Sequence, residues 1–239
     1  LVLRESPRTP TEKNAMPLLG SAAMLLSFDI EADAIEEHDR WHTHEHLPER
    51  LSIPGFKRGT RWIADGDGPR YMVLYEVESL CTLASDAYLA RLNNPSPWTQ
   101  KMMPHYRGMN RGLCTVVGSF GFGQGGSAAL VRFTPVAARA KALTRWLMDE
   151  KLPQVPSMSG LGSVHFLHGA QAAAMTNEQR IRGADRGVDS ALIVTGYDSD
   201  AVREFAAQLC ADEGLSARGA GDVTCAMYRV GYSLVASEI

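Results

Sequence analysis

RWHTHEHLPERLSIPGF (40–56) and RWLMDEKLPQVPSMSGL (145–161) are the two stretches whose reading decides the fold. Sliding the chain along itself by 105 positions lays one over the other without a gap. Trp41 then meets Trp146, Glu45 meets Glu150, Leu47-Pro48 meets Leu152-Pro153, and Gly55 meets Gly160. Upstream, Phe28 meets Phe133. A tryptophan pair and a Leu-Pro pair at one offset mark an internal repeat.

Working outward, each copy reads as βαββαβ. In the first, AAMLLSFDI (22–30) is a strand and 32–51 a helix that Pro48 bends or restarts. Strands follow at 57–64 and Tyr71–Glu78, split by the turn Asp65-Gly66-Asp67-Gly68-Pro69. A helix at 82–92, a helical piece at 98–105 and a strand at 112–120 complete it. The second copy repeats the order with strands at 127–134, 162–168, 190–197 and 222–234 and helices at 136–153 and 200–212. Its middle hairpin carries an insertion at 169–188, expected to be mobile and to act as a lid.

The expected organisation is an N-terminal disordered extension at 1–20, a first repeat at 21–122 and a second at 127–239, joined by GFGQGGS. Met16 reads as the natural start. A βαββαβ sheet has helices on one face and open edges. Two such sheets that face each other close into a barrel and cover both. The fold class is therefore α+β: two ferredoxin-like repeats forming one intramolecular α/β barrel, with the barrel interior as the expected cavity.

Composition narrows the function. The net charge of −3 offers no basic field for nucleic acid. No apolar run approaches the ~20 residues a membrane helix needs. The four cysteines form no CxxC pair, so they read as free thiols in a reducing cytoplasm. No nucleophile elbow, dinucleotide fingerprint or phosphate loop follows a strand.

Trp41-x4-His46-x-Pro48, followed by Pro54-Gly55-Phe56, resembles the dimeric α/β-barrel superfamily, in its EthD-like and muconolactone-isomerase-like branches. LASDAYLARLNNPSPWTQKMMPHY (83–106) is also similar to that group. The resemblance implies the barrel fold and a histidine near position 46. It implies function less closely, because the superfamily spans cofactor-free monooxygenases, lactone isomerases and haem proteins.

Drawn as a helix, residues 34–46 put His38, Trp41, His42, Glu45 and His46 on one inward arc, with His44 on the charged face. The second copy has Leu143 and Leu147 where the first has His38 and His42, and Lys151 in place of His46. The first copy thus puts imidazoles where the fold itself asks for core, so the site belongs there. Burying such a group unpaired costs about 1–3 kcal/mol.

The expected catalytic residues are His46 as general acid or base, with His42 and Glu45 tuning it. Asp29, Trp41, Arg61, Trp62, Tyr75 and Arg132 are the expected substrate-binding residues, Arg132 holding a carboxylate or enolate. His38 reads as part of a core network. No metal ligand set is apparent, since three histidines at i, i+4 and i+8 drift around the helix. The expected partner is a small cyclic or aromatic-derived molecule, transformed without a cofactor by isomerase, lyase or monooxygenase chemistry. The alternatives are a non-catalytic binding barrel and a haem or divalent-metal protein. The two-chain habit of the superfamily is compatible with a homodimer.

Overall fold

Successive side chains of a strand face opposite sides, and the first strand shows what this does here. In β1 (Ala22–Ile30), Met24, Leu26 and Phe28 pack against helices, while Ala23 and Leu25 pack against strands from the far half of the chain. The computed structural model describes residues 17–170, 176–183 and 185–239.

The first repeat continues with α1 (Ile35–Trp41), a wide helical turn at His42–His46 and α2 (Leu47–Leu51). Next come β2 (Phe56–Ala64), β3 (Tyr71–Val77), α3 (Asp86–Asn93), α4 (Pro97–Met102) and β4 (Tyr106–Gly121). The second repeat has β5 (Ser127–Pro135), α5 (Ala140–Trp146), a second wide turn at Leu147–Lys151 and β6 (Leu161–Ala170). It ends with α6 (Asn177–Arg182), β7 (Ser190–Gly196), α7 (Ser199–Cys210) and β8 (Ala220–Val235). β1 and β5, and likewise α1 and α5, start 105 residues apart, so the repeat read from sequence is a repeat of structure.

The strands close into one antiparallel barrel in the order β1-β3-β2-β8-β5-β7-β6-β4. The β2–β8 and β4–β6 ladders are the two seams between the repeats. β4 is longer than its glycine- and arginine-rich sequence suggests, beginning at Tyr106 rather than 112. Pairing with β1 on one side and β6 on the other overrides the weak local propensity.

Two expectations are corrected. Residues 17–20 are not part of a disordered extension: Leu18 is buried in the barrel core and the Leu19 N–H donates to Glu76 at 2.7 Å. Residues 1–16 lie outside the described residues, as do 171–175 and 184 of the insertion. The barrel interior is also not the cavity. Trp62, Leu25, Met72 and Leu74 meet Leu130, Leu167, Ile193 and Tyr228 inside it, because an eight-stranded barrel is just wide enough for its own side chains. Among the described residues no helix is long and apolar enough to cross a membrane.

Trp62, expected as a pocket wall, is instead the largest side chain plugging the barrel. Trp62→Ala should lower the unfolding free energy by about 3–5 kcal/mol in urea denaturation. Trp62→Phe should cost less, since the buried indole N–H has no acceptor among the described residues.

Candidate active site

The first long helix of each repeat runs into a Leu-Pro pair, and just before it the helix widens by one residue. Proline has no N–H, and its ring collides with the carbonyl four residues back. At Leu47 the N–H reaches past the usual acceptor to the carbonyl of His42, and at Leu152 to that of Leu147. Wide turns of this kind recur at functional sites. Here both repeats have one, so the turn belongs to the fold and only the side chains on it differ.

In the first repeat the turn carries His42 and His46, which are buried against β1 and β3. Their ring centroids lie 5.5 Å apart, and His46 packs on Trp41 at 4.4 Å. The Tyr75 hydroxyl lies 3.4 Å from His42 Nε2, and the Tyr106 hydroxyl 3.3 Å from His38 Nε2. The Nδ1 atoms of His42 and His46 have no hydrogen-bond partner among the described residues. Burial holds both rings well below the ordinary imidazole range; His38 deepens this for His42, and the Arg50 guanidinium for His46. Both are therefore neutral near pH 7. Burial likewise pushes the Tyr75 and Tyr106 hydroxyls up, so they stay protonated donors.

A small cavity of about 30 Å³ lies beside these rings, between the sheet and the helices of the first repeat. Its roof is α6, from the insertion in the second repeat. Thr176 and Gln179 form a capping box that starts this helix. Glu178 reaches down from it to Arg50, at 2.5 Å, and both are almost fully buried. Asn177 bonds to Asn93 of α3, and Arg182 lies over the Tyr106 ring at 5.8 Å.

The second repeat supplies an internal control. Its counterparts of His38, His42 and Arg50 at the same offset are Leu143, Leu147 and Val155, and the counterpart of Tyr75 in the β1–β3 register is Val194. All four are buried in an apolar cluster.

Of the expected site residues, the structure brings His42, His46 and Tyr75 to the cavity and sets Trp41 behind His46. It moves the others away. Glu45 leaves the inward arc because the wide turn rotates it; its carboxylate accepts from Trp41 Nε1 and from the Ser96 hydroxyl at 2.5 Å, tying the turn to α4. Arg61 donates to the Asp39 carbonyl and braces α1. Asp29 is exposed and accepts from the Arg70 N–H. Arg132 lies with Ser27 and Tyr228 in a cleft on the barrel, apart from the histidines. Asp29 and Arg132 alternate toward the strand face opposite the helices, which removes them from this cavity.

The sequence reading missed Arg50, Tyr106 and Glu178. Arg50 had a signal, since the repeat register sets it over Val155. Among the described residues, metal-type side chains converge at Glu31, Asp33 and His105 on the surface, where Arg107 already pairs with Glu31.

No family model matches the chain, and no curated protein matches it. Solved structures do share its fold. An anthrone oxidase-like protein superposes with a TM-score of 0.64 at 10% identity, covering 91% of this chain and 94% of that one. A protein of Fusobacterium nucleatum subsp. nucleatum assigned as a monooxygenase gives 0.58 at 8% identity, covering 91% and 96%. A chlorite dismutase from Candidatus Nitrospira defluvii, in complex with imidazole, gives 0.55 at 11% identity and covers 94% of each chain. These proteins belong to the dimeric α/β-barrel superfamily. Identities this low show the fold and no finer branch.

The comparison corrects the expectation of a chain without cofactor, because the chlorite dismutases that share the barrel bind haem. The residues of this cavity do not themselves fit haem. His46 is flanked by Trp41 and His42, and with α6 closed over it the cavity keeps about 30 Å³, where even small-molecule sites usually offer on the order of 300 Å³ or more. Any organic ligand therefore needs α6 to move, and haem needs far more room still. What the structure establishes is a closed eight-stranded antiparallel barrel, the fold these proteins share, with both halves supplied by one chain.

Proposed function

We propose that this chain is an enzyme that moves a proton on a small cyclic or aromatic-derived molecule, with His46 as the base. The observation that carries this reading is a pair of buried, neutral imidazoles whose Nδ1 atoms have no partner among the described residues, His42 standing where the second repeat has the core residue Leu147 and His46 where it has the half-buried Lys151.

A neutral imidazole accepts a proton without first losing one, and burial strengthens its interactions with a charge that forms beside it. Phe28, Tyr75 and Tyr106 give the cavity flat apolar walls that suit a ring, which the closed site, with about 30 Å³, admits only once α6, its roof, moves aside. The Tyr75 hydroxyl, 3.4 Å from His42 Nε2, is placed to hold that ring's tautomer. The likeness to an anthrone oxidase-like protein and to a monooxygenase supports removal of a proton from an activated ring carbon as the opening step; isomerase and lyase chemistry begin the same way. Enclosure of the cavity is completed within one chain, by α6, so the reading applies to a monomer and a homodimer alike.

Anthrone is the first probe, followed by absorbance and oxygen uptake. The expected result is turnover above the buffer rate, falling at least about 100-fold in His46→Gln. Undiminished turnover in that variant would remove His46 from the mechanism. Probes that bind unchanged, with no turnover of anthrone or of other tautomerisable ketones, would favour a binding barrel instead.

The lowered histidines also fix a pH dependence. Below an unfolded-state pKa of about 6.5 the unfolded chain takes up protons that the buried rings refuse, so stability falls with pH from there down to the folded pKa values. Each such ring contributes up to about 1.4 kcal/mol per pH unit in that window. The melting temperature should therefore drop between pH 7 and 5. His42→Leu, which installs the residue of the second repeat, should make that drop shallower. An unchanged slope would mean that His42 is not held neutral. Activity should stay level from pH 8 down past 6.5, because His46 keeps its free base there.

A further inference from the structure

Arg50 is the most deeply buried of the three arginines that line this cavity, with Arg111 and Arg182, and its arrangement is unusual for a structural arginine. Its side chain is 1% exposed, yet Nη1 has no hydrogen-bond partner among the described residues. Its guanidinium lies 6.0 Å from the Tyr88 ring centre, and Arg111 donates to the Tyr88 hydroxyl from the same wall. Arg182 stands over Tyr106 on the roof side, paired with Asp185. Glu49, which does not line the cavity, faces that same Nη1 as an ion pair at 3.5 Å, without a hydrogen bond, and also pairs with Arg91. Among the described residues, the one carboxylate that lines the cavity itself is Glu178, carried in on α6 from 128 positions away.

A fully buried ion pair is seldom the most stable way to fill a core, and the second repeat fills the Arg50 position with Val155. The pair therefore calls for a reason beyond packing. We propose that the cavity takes an aromatic anion, a ring bearing a carboxylate or a comparable anionic oxygen, whose charge pairs with Arg50 in the place that Glu178 holds here. Glu178 then stands in for the ligand's anion while the site is empty, and α6 lifts or turns Glu178 aside when the ligand enters. This inference rests on the reading of the cavity as a site for small aromatic molecules and adds the charge that the ligand carries. Guanidinium binds carboxylate in a planar, two-pronged geometry that an amide cannot match. The ring would lie against Tyr75 and Phe28, within reach of His46.

The test is calorimetric, with 2-naphthoate as the anionic probe and 2-naphthamide as its neutral match. Wild type should bind naphthoate more tightly than naphthamide. Glu178→Gln removes the competing anion and should tighten naphthoate at least about tenfold, while naphthamide changes less than about threefold. Arg50→Met alone strands Glu178 without a partner, so Arg50→Met/Glu178→Gln is the control that keeps the fold testable. It should bind the two probes equally. Equal binding in wild type and in Glu178→Gln would overturn the anion while leaving an aromatic site intact. Failure of both probes in Glu178→Gln, with the fold confirmed by circular dichroism, would sink the aromatic site as well. A gain in Glu178→Gln that is the same for both probes would make the ion pair a simple latch on α6 and would also overturn the proposal.

Discussion

A βαββαβ sheet is left with two unpaired edges and one uncovered face, and the architecture of this chain follows from satisfying both. The β2–β8 and β4–β6 ladders pair the edges, and the two inner faces cover each other. Closure has a consequence for function. Eight strands enclose only enough space for their own side chains, and Trp62 and its neighbours use it. A ligand site must then lie at a barrel end or between the sheet and its outer helices. The histidines occupy the second of these places.

The two outer layers began from one plan and diverged in chemistry. Both have a helix that widens before Leu-Pro, and both bury the inward face of that turn. In the second repeat the buried face is leucine and valine. In the first it is histidine, arginine and tyrosine, which desolvation makes costly unless each finds a partner. Some of that cost is offset by the Tyr75, Tyr106 and Glu178 contacts. The rest remains on His42 Nδ1, which has no hydrogen-bond partner among the described residues, and on Arg50 Nη1, which meets only Glu49, at 3.5 Å and without a hydrogen bond. A fold that already has an apolar solution for these positions, and uses it next door, keeps the polar one for what the polar groups do.

Fusion of the repeats lets the halves differ. The insertion before β7 sits in one repeat only, and its helix reaches across to roof the other repeat. Two identical chains would carry two such insertions and two equal sites. One chain can keep a single site and use the second half as scaffold and cover. The Arg50–Glu178 pair is the point where the two halves of the site meet.

Much of this was legible from residues alone. The offset of 105 gave both repeats, the short apolar runs at 22–30 and 127–134 gave their first strands, and the leucines opposite His38 and His42 located the site in the first half. These signals are local or repeat-related, so they survive in one dimension. The same register also sets Arg50 over Val155, a signal that exists in the sequence but is easily passed over because helical arginines are usually solvated. The remainder depended on three dimensions. The wide turn swung Glu45 away from the arc that an ideal helix assigns it. Barrel closure turned Trp62 into core and left Asp29 and Arg132 on the strand face away from the helices. Glu178 comes to Arg50 from 128 positions away, and no periodicity encodes such a contact. The sequence by itself determined the two repeats and which half is unusual; the tertiary structure alone decided which polar groups are buried and which of them meet, because that depends on how sheets close and what packs over them.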